Sequence, residues 1–209
     1  MILRVIRGRG DSGRVAALQA DLASRFPDPG RSGDPARYRV GVRPGSPTGG
    51  LEVLVLVFWH QHADLAAADE RHASVLSVAR DIGIDELSTA HFEIDATIRE
   101  PGVGAHVAAR PTTSEAAIRL ATGSFSRQGA DIEMQEMLRE RAPQLGDEMT
   151  EAYVGRRMVG RSVDVTFISC WSRVPPDRNL QDPFWPDIAL RYDAFSVEVF
   201  GALANAAEE

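Results

Sequence analysis

The stretch Leu51-Glu-Val-Leu-Val-Leu-Val-Phe-Trp59 constrains this chain most, because the sequence writes it twice. The second copy is Val163-Asp-Val-Thr-Phe-Ile-Ser-Cys-Trp171. Each opens with an aliphatic residue and an acid, runs through β-branched and apolar residues, and closes on Trp. The copies lie about half the chain apart, and a period that long is a whole small domain rather than a solenoid repeat. The reading is a tandem duplication of one α+β unit.

Alternate residues of a strand point to opposite faces, and in Leu51–Trp59 both sets are largely apolar. A sheet with one wet face would alternate apolar and polar residues, so this strand is expected to be covered on both sides. One layer of helices covers only one face. Leaving even ~400 Å² of the other face in water would forgo about 10 kcal/mol, as much as a domain's whole stability. The two halves are therefore expected to pack their sheets together rather than hang as separate beads.

Composition sets wide bounds. A length of 209 residues suits one large or two small domains, and 44% hydrophobic with 25% charged residues is ordinary for a globular protein. The formal charge of −7 argues against a nucleic-acid partner. Arg4, Arg7, Arg9 and Arg14 read as part of a solvated mixed surface. The single cysteine, Cys170, excludes an intrachain disulfide and reads as a buried strand residue. No run approaches the ~20 apolar residues of a membrane span, so no membrane partner is expected. The N-terminus lacks a signal-peptide layout, which makes the cytoplasm the default.

Local patterns fill in the order. Ile2 to Arg7 reads as a strand ended by a turn at Gly8, Gly10 and Gly13, with Asp11 or Ser12 capping a helix over Arg14 to Phe26. Val15, Leu18, Leu22 and Phe26 fall on one helical face. Strands follow at Tyr38 to Val42 and Leu51 to Trp59, then a helix over Ala63 to Ile82 closed by Gly83, then a strand around Ala90 to Ala96. Strand, helix, strand, strand, helix, strand is the ferredoxin-like order. Residues 1–98 form the first unit, 99–114 a Pro- and Gly-bearing linker, and 115–209 the second unit. In the second, a strand at Ala117 to Gly123 leads to a helix over Ala130 to Arg141, with Ile132, Met134, Met137 and Leu138 as buried candidates. Met149 to Val159 and Val163 to Trp171 follow, then a short irregular or helical stretch through Trp185. The last strand is Ala194 to Phe200. Glu93 and Glu198, each inside its half's last strand, give the duplication a second anchor.

The opening Ile2-Leu-Arg-Val-Ile-Arg-Gly-Arg9, the amphipathic helix and the strand ending in Trp59 together resemble the antibiotic-biosynthesis monooxygenase domain of the dimeric α+β barrel superfamily. Val163 to Cys170 followed by Trp171-Ser172-Arg173 resembles that family's strand-and-Trp signature more closely. The resemblance implies two ferredoxin-like units whose antiparallel sheets pack as an intramolecular α+β barrel, a pseudo-dimer in one chain or a homodimer of such chains. It also implies a cavity between sheet and helices. The activity would be oxidation of an apolar aromatic molecule by oxygen without a cofactor, with haem binding and degradation ranking behind it. The alternative is a non-catalytic ligand-binding or structural member. The family's oxidases often carry an Asn four residues before the Trp; this chain has Val55 and Phe167 there. Its haem degraders need a His on the second helix, where His72 falls.

Under that resemblance Trp59, His72 and Trp171 are the catalytic candidates, and Trp59, Phe167, Trp171, Met134 and Met137 the substrate-binding ones. Because both tryptophans end buried strands, core or cavity wall suits them better than a catalytic role. His60 and His62 have His-x-His spacing, but no further Cys or acid constellation completes a metal site, so no metal is expected. His91 reads as a satisfied strand histidine. Met149 and Met158 join a methionine-rich second half, and Tyr153 and Tyr192 are possible donors to a ligand. Because the histidines concentrate in the first half, that half is favoured if only one is active.

Overall fold

The computed structural model describes residues 1–25, 36–45, 50–59, 73, 75–99, 117–126, 129–141, 149–172 and 194–203. The strands are β1 (Ile2–Gly10), β2 (Ala36–Pro44), β3 (Leu51–Trp59), β4 (Asp85–Arg99), β5 (Ala117–Phe125), β6 (Met149–Val159), β7 (Ser162–Trp171) and β8 (Ala194–Leu203). The described helices are α1 (Ser12–Arg25), a helix labelled α2 of which residues 73 and 75–81 are described, and α3 (Ala130–Arg141). The first half thus has the strand, helix, strand, strand, helix, strand order, and the fold is α+β with antiparallel strand pairs. No described helix is long and apolar enough to cross a membrane. The stretch through Trp185 and most of residues 99–114 lie outside the described residues, as do Phe26 and Tyr192.

Chain contacts divide the molecule into two compact units. One comprises Met1–His91 with Ala202–Glu209, and the other Phe92–Gly201. Strand β4 therefore starts in one unit and ends in the other.

In the first unit β3 is the central strand, antiparallel to β1 on one side and β2 on the other. Val53 to Trp59 are all buried, in both parities, as the two apolar faces require. Val53, Val55, Val57 and Trp59 pack with Ile6, Tyr38 and Val40 under Val15, Leu18 and Leu22 of α1 and Val75 and Ala79 of α2. Asp11 is the cap of α1: its Oδ1 accepts from Arg14 N at 2.9 Å, satisfying a donor that the helix leaves open. Helix α2 ends in a Schellman motif. Ile84 N donates to Ala79 O at 2.8 Å and Gly83 N to Arg80 O at 2.9 Å, with Gly83 in the left-handed region at φ 88°.

Two expectations for this unit need correction. Gly8 does not end the strand: β1 runs through it and stops at Gly10. Their role is to make room: a Cβ on Gly8 would sit 2.5 Å from Ile84 Cγ2, and one on Gly10 2.7 Å from Ile84 Cδ1. Arg4 is not part of the solvated surface. It is 3% exposed, in phase with Ile2 and Ile6 on the helix-covered face. Arg9 and Arg14 do lie at the surface, paired with Glu86 and Asp11.

In the second unit the strand order is β8–β5–β7–β6–β4, with β4 contributing its C-terminal part. Val165, Phe167 and Trp171 pack with Ala117, Ala121, Phe125, Met149, Ala152 and Val154 under Ala130, Met134 and Leu138 of α3. Ile132, expected inside, is 54% exposed. The buried face of α3 instead runs through Ala130, Asp131, Met134, Gln135 and Leu138, because the helix edge meets polar groups of β4. Met158 is not a core methionine either; at 69% exposed it stands beside the β6–β7 turn.

Candidate ligand site

Register fixes which side chains share a face. In antiparallel pairing, directly opposed residues point the same way. Trp59 lies opposite Ile2 on β1 and Ala36 on β2, and Val57 lies opposite Arg4 on β1 and Tyr38 on β2. Arg4, Val57 and Tyr38 thus form one row across three strands, with Trp59 in the next row. All three polar or aromatic groups are buried, Arg4 at 3%, Tyr38 at 4% and Trp59 at 1% exposed. Their surroundings are Val, Leu, Ile and Ala from β1, β2, β3, α1 and α2. Each makes a polar or ring interaction with its surroundings. The row sets a guanidinium, a phenol and an indole on an otherwise aliphatic, helix-covered face.

The second unit repeats the corner with different residues. Trp171 lies opposite Ala117 and Met149, and Ser169 lies opposite Arg119 and Ala152. Arg119, 2% exposed, therefore holds in β5 the register position that Arg4 holds in β1. Ser169 replaces Val57, and its Oγ accepts from Trp171 Nε1 at 2.8 Å. Ala152 replaces Tyr38. Phe125, Met134, Met149, Phe167 and Trp171 share one packed cluster, with Met137 at its edge.

The predicted residues therefore divide. Trp59 stands in the first unit; Phe167, Trp171, Met134 and Met137 come together in the second. Val55 and Phe167, at the positions where the resemblance would have Asn, both face the helices, so neither unit offers an amide there. His60, His62 and His72 lie outside the described residues. His91 stands exposed on β4 and interacts with its surroundings, in keeping with a satisfied strand histidine. Tyr153 is fully buried, but its register partner Ile168 puts it on the face away from α3, where its hydroxyl lies 3.3 Å from Glu151 Oε2.

Sequence reasoning missed Arg4, Tyr38 and Arg119 as site residues. The signal was parity: Arg4 alternates in phase with Ile2 and Ile6, Tyr38 with Val40 and Val42, and Arg119 with Ala117 and Ala121.

A separate polar cluster lies at the edge of α3. Gln135 Nε2 donates to Asp95 Oδ2 at 3.1 Å, and Arg156 Nε lies 3.3 Å from the same oxygen. The β4–β6 register shifts between Ile94 and Ala96, so the strand bulges at Asp95. Burial pushes the Asp95 carboxyl above its ordinary value; Arg156 opposes this and Glu93 adds to it.

No protein-family model matches the sequence, and no curated protein matches it. Solved structures do. A protein provisionally named a monooxygenase from Fusobacterium nucleatum subsp. nucleatum superposes with a TM-score of 0.65 at 10% identity, over 97% of this chain and 92% of that one. Another of that provisional name, from Lactobacillus acidophilus, gives 0.63 at 9% identity, over 96% and 93%. An anthrone oxidase-like protein gives 0.55 at 13% identity, over 100% and 94%. At such identities the likeness is one of fold. The resemblance to the antibiotic-biosynthesis monooxygenase domain holds at that level.

Proposed function

We propose that the first unit binds an aromatic small molecule between its sheet and helices α1 and α2, and that oxidation of that molecule by oxygen, without a cofactor, is the activity it carries. The observation behind this reading is the row of Arg4, Val57 and Tyr38 with Trp59 beside it, buried among aliphatic side chains. An indole wall suits a flat aromatic ring, and two hydrogen-bond donors suit its oxygen substituents. The second unit supports the choice by contrast. Its equivalent corner is packed with the bulkier Phe125, Phe167, Met134, Met149 and Trp171. For an anthrone, the methylene carbon takes one oxygen atom as a carbonyl and the other leaves as water, so the reaction needs no external reductant. The names of similar folds, monooxygenase and anthrone oxidase-like, agree with this chemistry.

A second reading is binding without turnover. Val55 favours it, since the strand offers no amide four residues before Trp59. One experiment tests both. The protein is titrated with an anthrone while tryptophan fluorescence is followed, and oxygen uptake is then measured with the bound ligand. Saturable quenching lost in Trp59→Phe, with oxygen uptake above the ligand's own rate, supports the oxidase. The same quenching with no added uptake leaves the binding protein. No quenching in a folded sample removes both.

A further inference from the structure

We infer that Met158 is a reversible oxidation site, whose thioether takes one oxygen atom from a peroxide while the protein stays folded. The inference is independent of ligand binding by the first unit. The chain has five methionines, at positions 1, 134, 137, 149 and 158. Met149 is fully buried and Met134 is 1% exposed; both lie in the cluster under α3, and Met137 packs at its edge. Met1 is partly buried. Met158 is 69% exposed, the most open of the large apolar side chains among the described residues. The β6–β7 hairpin fixes its place. It lies opposite Val163, one residue before the final pair of Val159 and Ser162, and Gly160 turns the chain at φ 62°. An oxidant therefore reaches its sulfur without any opening of the fold.

The step balances with hydrogen peroxide alone. A sulfur lone pair attacks one peroxide oxygen, and the S–O bond forms as the O–O bond breaks. Sulfur is oxidised and the peroxide reduced; the proton of the attacked oxygen passes to the leaving hydroxide, which departs as water. The product is a polar sulfoxide, which disrupts an apolar core. In the cluster under α3 it would break the packing around Met134 or Met149. At Met158 it meets solvent, with the half-exposed Arg156 two residues earlier on the same face of the strand. The oxidised residue is thus tolerated by the fold and stays open to methionine sulfoxide reductase, which restores the thioether. Oxidation turns the apolar tip that Met158 forms with Val159, 47% exposed, into a polar one, and confines the change to this hairpin.

Limiting hydrogen peroxide added to the full chain tests the inference, with each methionine followed over time by peptide mapping and mass spectrometry. Met158 is expected to oxidise at least about tenfold faster than Met134 and Met149, since susceptibility follows exposure. The gap should vanish in denaturant, where every thioether is open. Protein oxidised at Met158 alone should keep the denaturation midpoint of untreated protein, and sulfoxide reductases for both epimers should return it to its original mass. Met158→Leu should remove the fast-reacting site. Equal rates at Met158 and Met134 in the folded chain overturn the inference. A gap that persists in denaturant also overturns it, because the selectivity would then come from neighbouring sequence and not from the fold. A lowered midpoint, or a sulfoxide that the reductases cannot reach in the folded chain, overturns the reversibility.

Discussion

The indole Nε1 of Trp171 donates to the hydroxyl of Ser169, two residues back on the same strand, at 2.8 Å. Both side chains are buried, Ser169 completely. The bond fixes the ring plane against the sheet, and in the first unit Val57 occupies the place of Ser169 and cannot accept such a bond. Ser169→Ala should therefore leave a buried donor without this acceptor and cost about 1–3 kcal/mol in chemical denaturation. An unchanged midpoint would mean that another group takes over the indole. Trp171 fluorescence, read in a Trp59→Phe, Trp185→Phe background, should shift as the ring loosens.

The two faces of α3 should respond oppositely to substitution. Ile132 points to solvent, so Ile132→Gln should fall within about 0.5 kcal/mol of the parent. Met134 is 1% exposed in the core under that helix, so Met134→Ala should cost about 2–5 kcal/mol. Thermal or denaturant unfolding of the two variants checks the orientation; comparable losses at both positions would show that the helix is rotated from this placement.

The contrast between Ile132 and Met134 also shows where the sequence was legible. Strand β3 announced itself because both parities are apolar, and β7 because it repeats the pattern of β3; the structure buries both. Helix α1 was clear because Val15, Leu18 and Leu22 repeat at helical spacing and pack as one face. Helix α3 misled because its inner face is partly polar: Gln135 is buried against Asp95, a contact that depends on a β4 residue 40 positions away. Arg4 and Arg119 were hidden for a related reason. The rule that arginine faces water is strong, and only their phase with buried neighbours on the same strand spoke against it. Tyr38 was read merely as the start of a strand, since its meaning comes from a register with Val57 that no local pattern encodes.

Gly8 offers a test of packing between distant parts of the first unit. A methyl group there would meet Ile84 Cγ2 at 2.5 Å, Leu87 Cδ2 at 3.0 Å and the Asp85 carbonyl at 3.2 Å. The nearest of these atoms is on a β-branched side chain with little freedom to move. Gly8→Ala should cost about 1–3 kcal/mol through overpacking. Ile84→Ala alone should also destabilise, since Ile84 is 3% exposed in the core. The double variant should be more stable than the sum of the two losses implies, because removing Ile84 Cγ2 opens the space the new methyl needs. Strict additivity would break the link between these residues.

Asp95 should make the protein's stability depend on pH in a direction opposite to the usual salt-bridged carboxylate. Its pKa is raised from 3.8, first by burial, with Arg156 pulling the other way, Glu93 raising it further and Gln135 and Arg139 lowering it. A carboxyl whose folded pKa lies above its unfolded one binds its proton more tightly when folded. Its favourable contribution is complete below the unfolded value and is lost as pH rises through the folded one. Asp95→Asn carries no such titration, and its side-chain carbonyl can still accept from Gln135. The variant should therefore gain stability relative to the parent as pH climbs from below 3.8 into the range where Asp95 ionises in the fold, and the difference should then level off. Denaturation midpoints of parent and variant across that range measure the effect. A gap that closes as pH rises would show that the pairing with Arg156, 3.3 Å away, outweighs burial at this bulge.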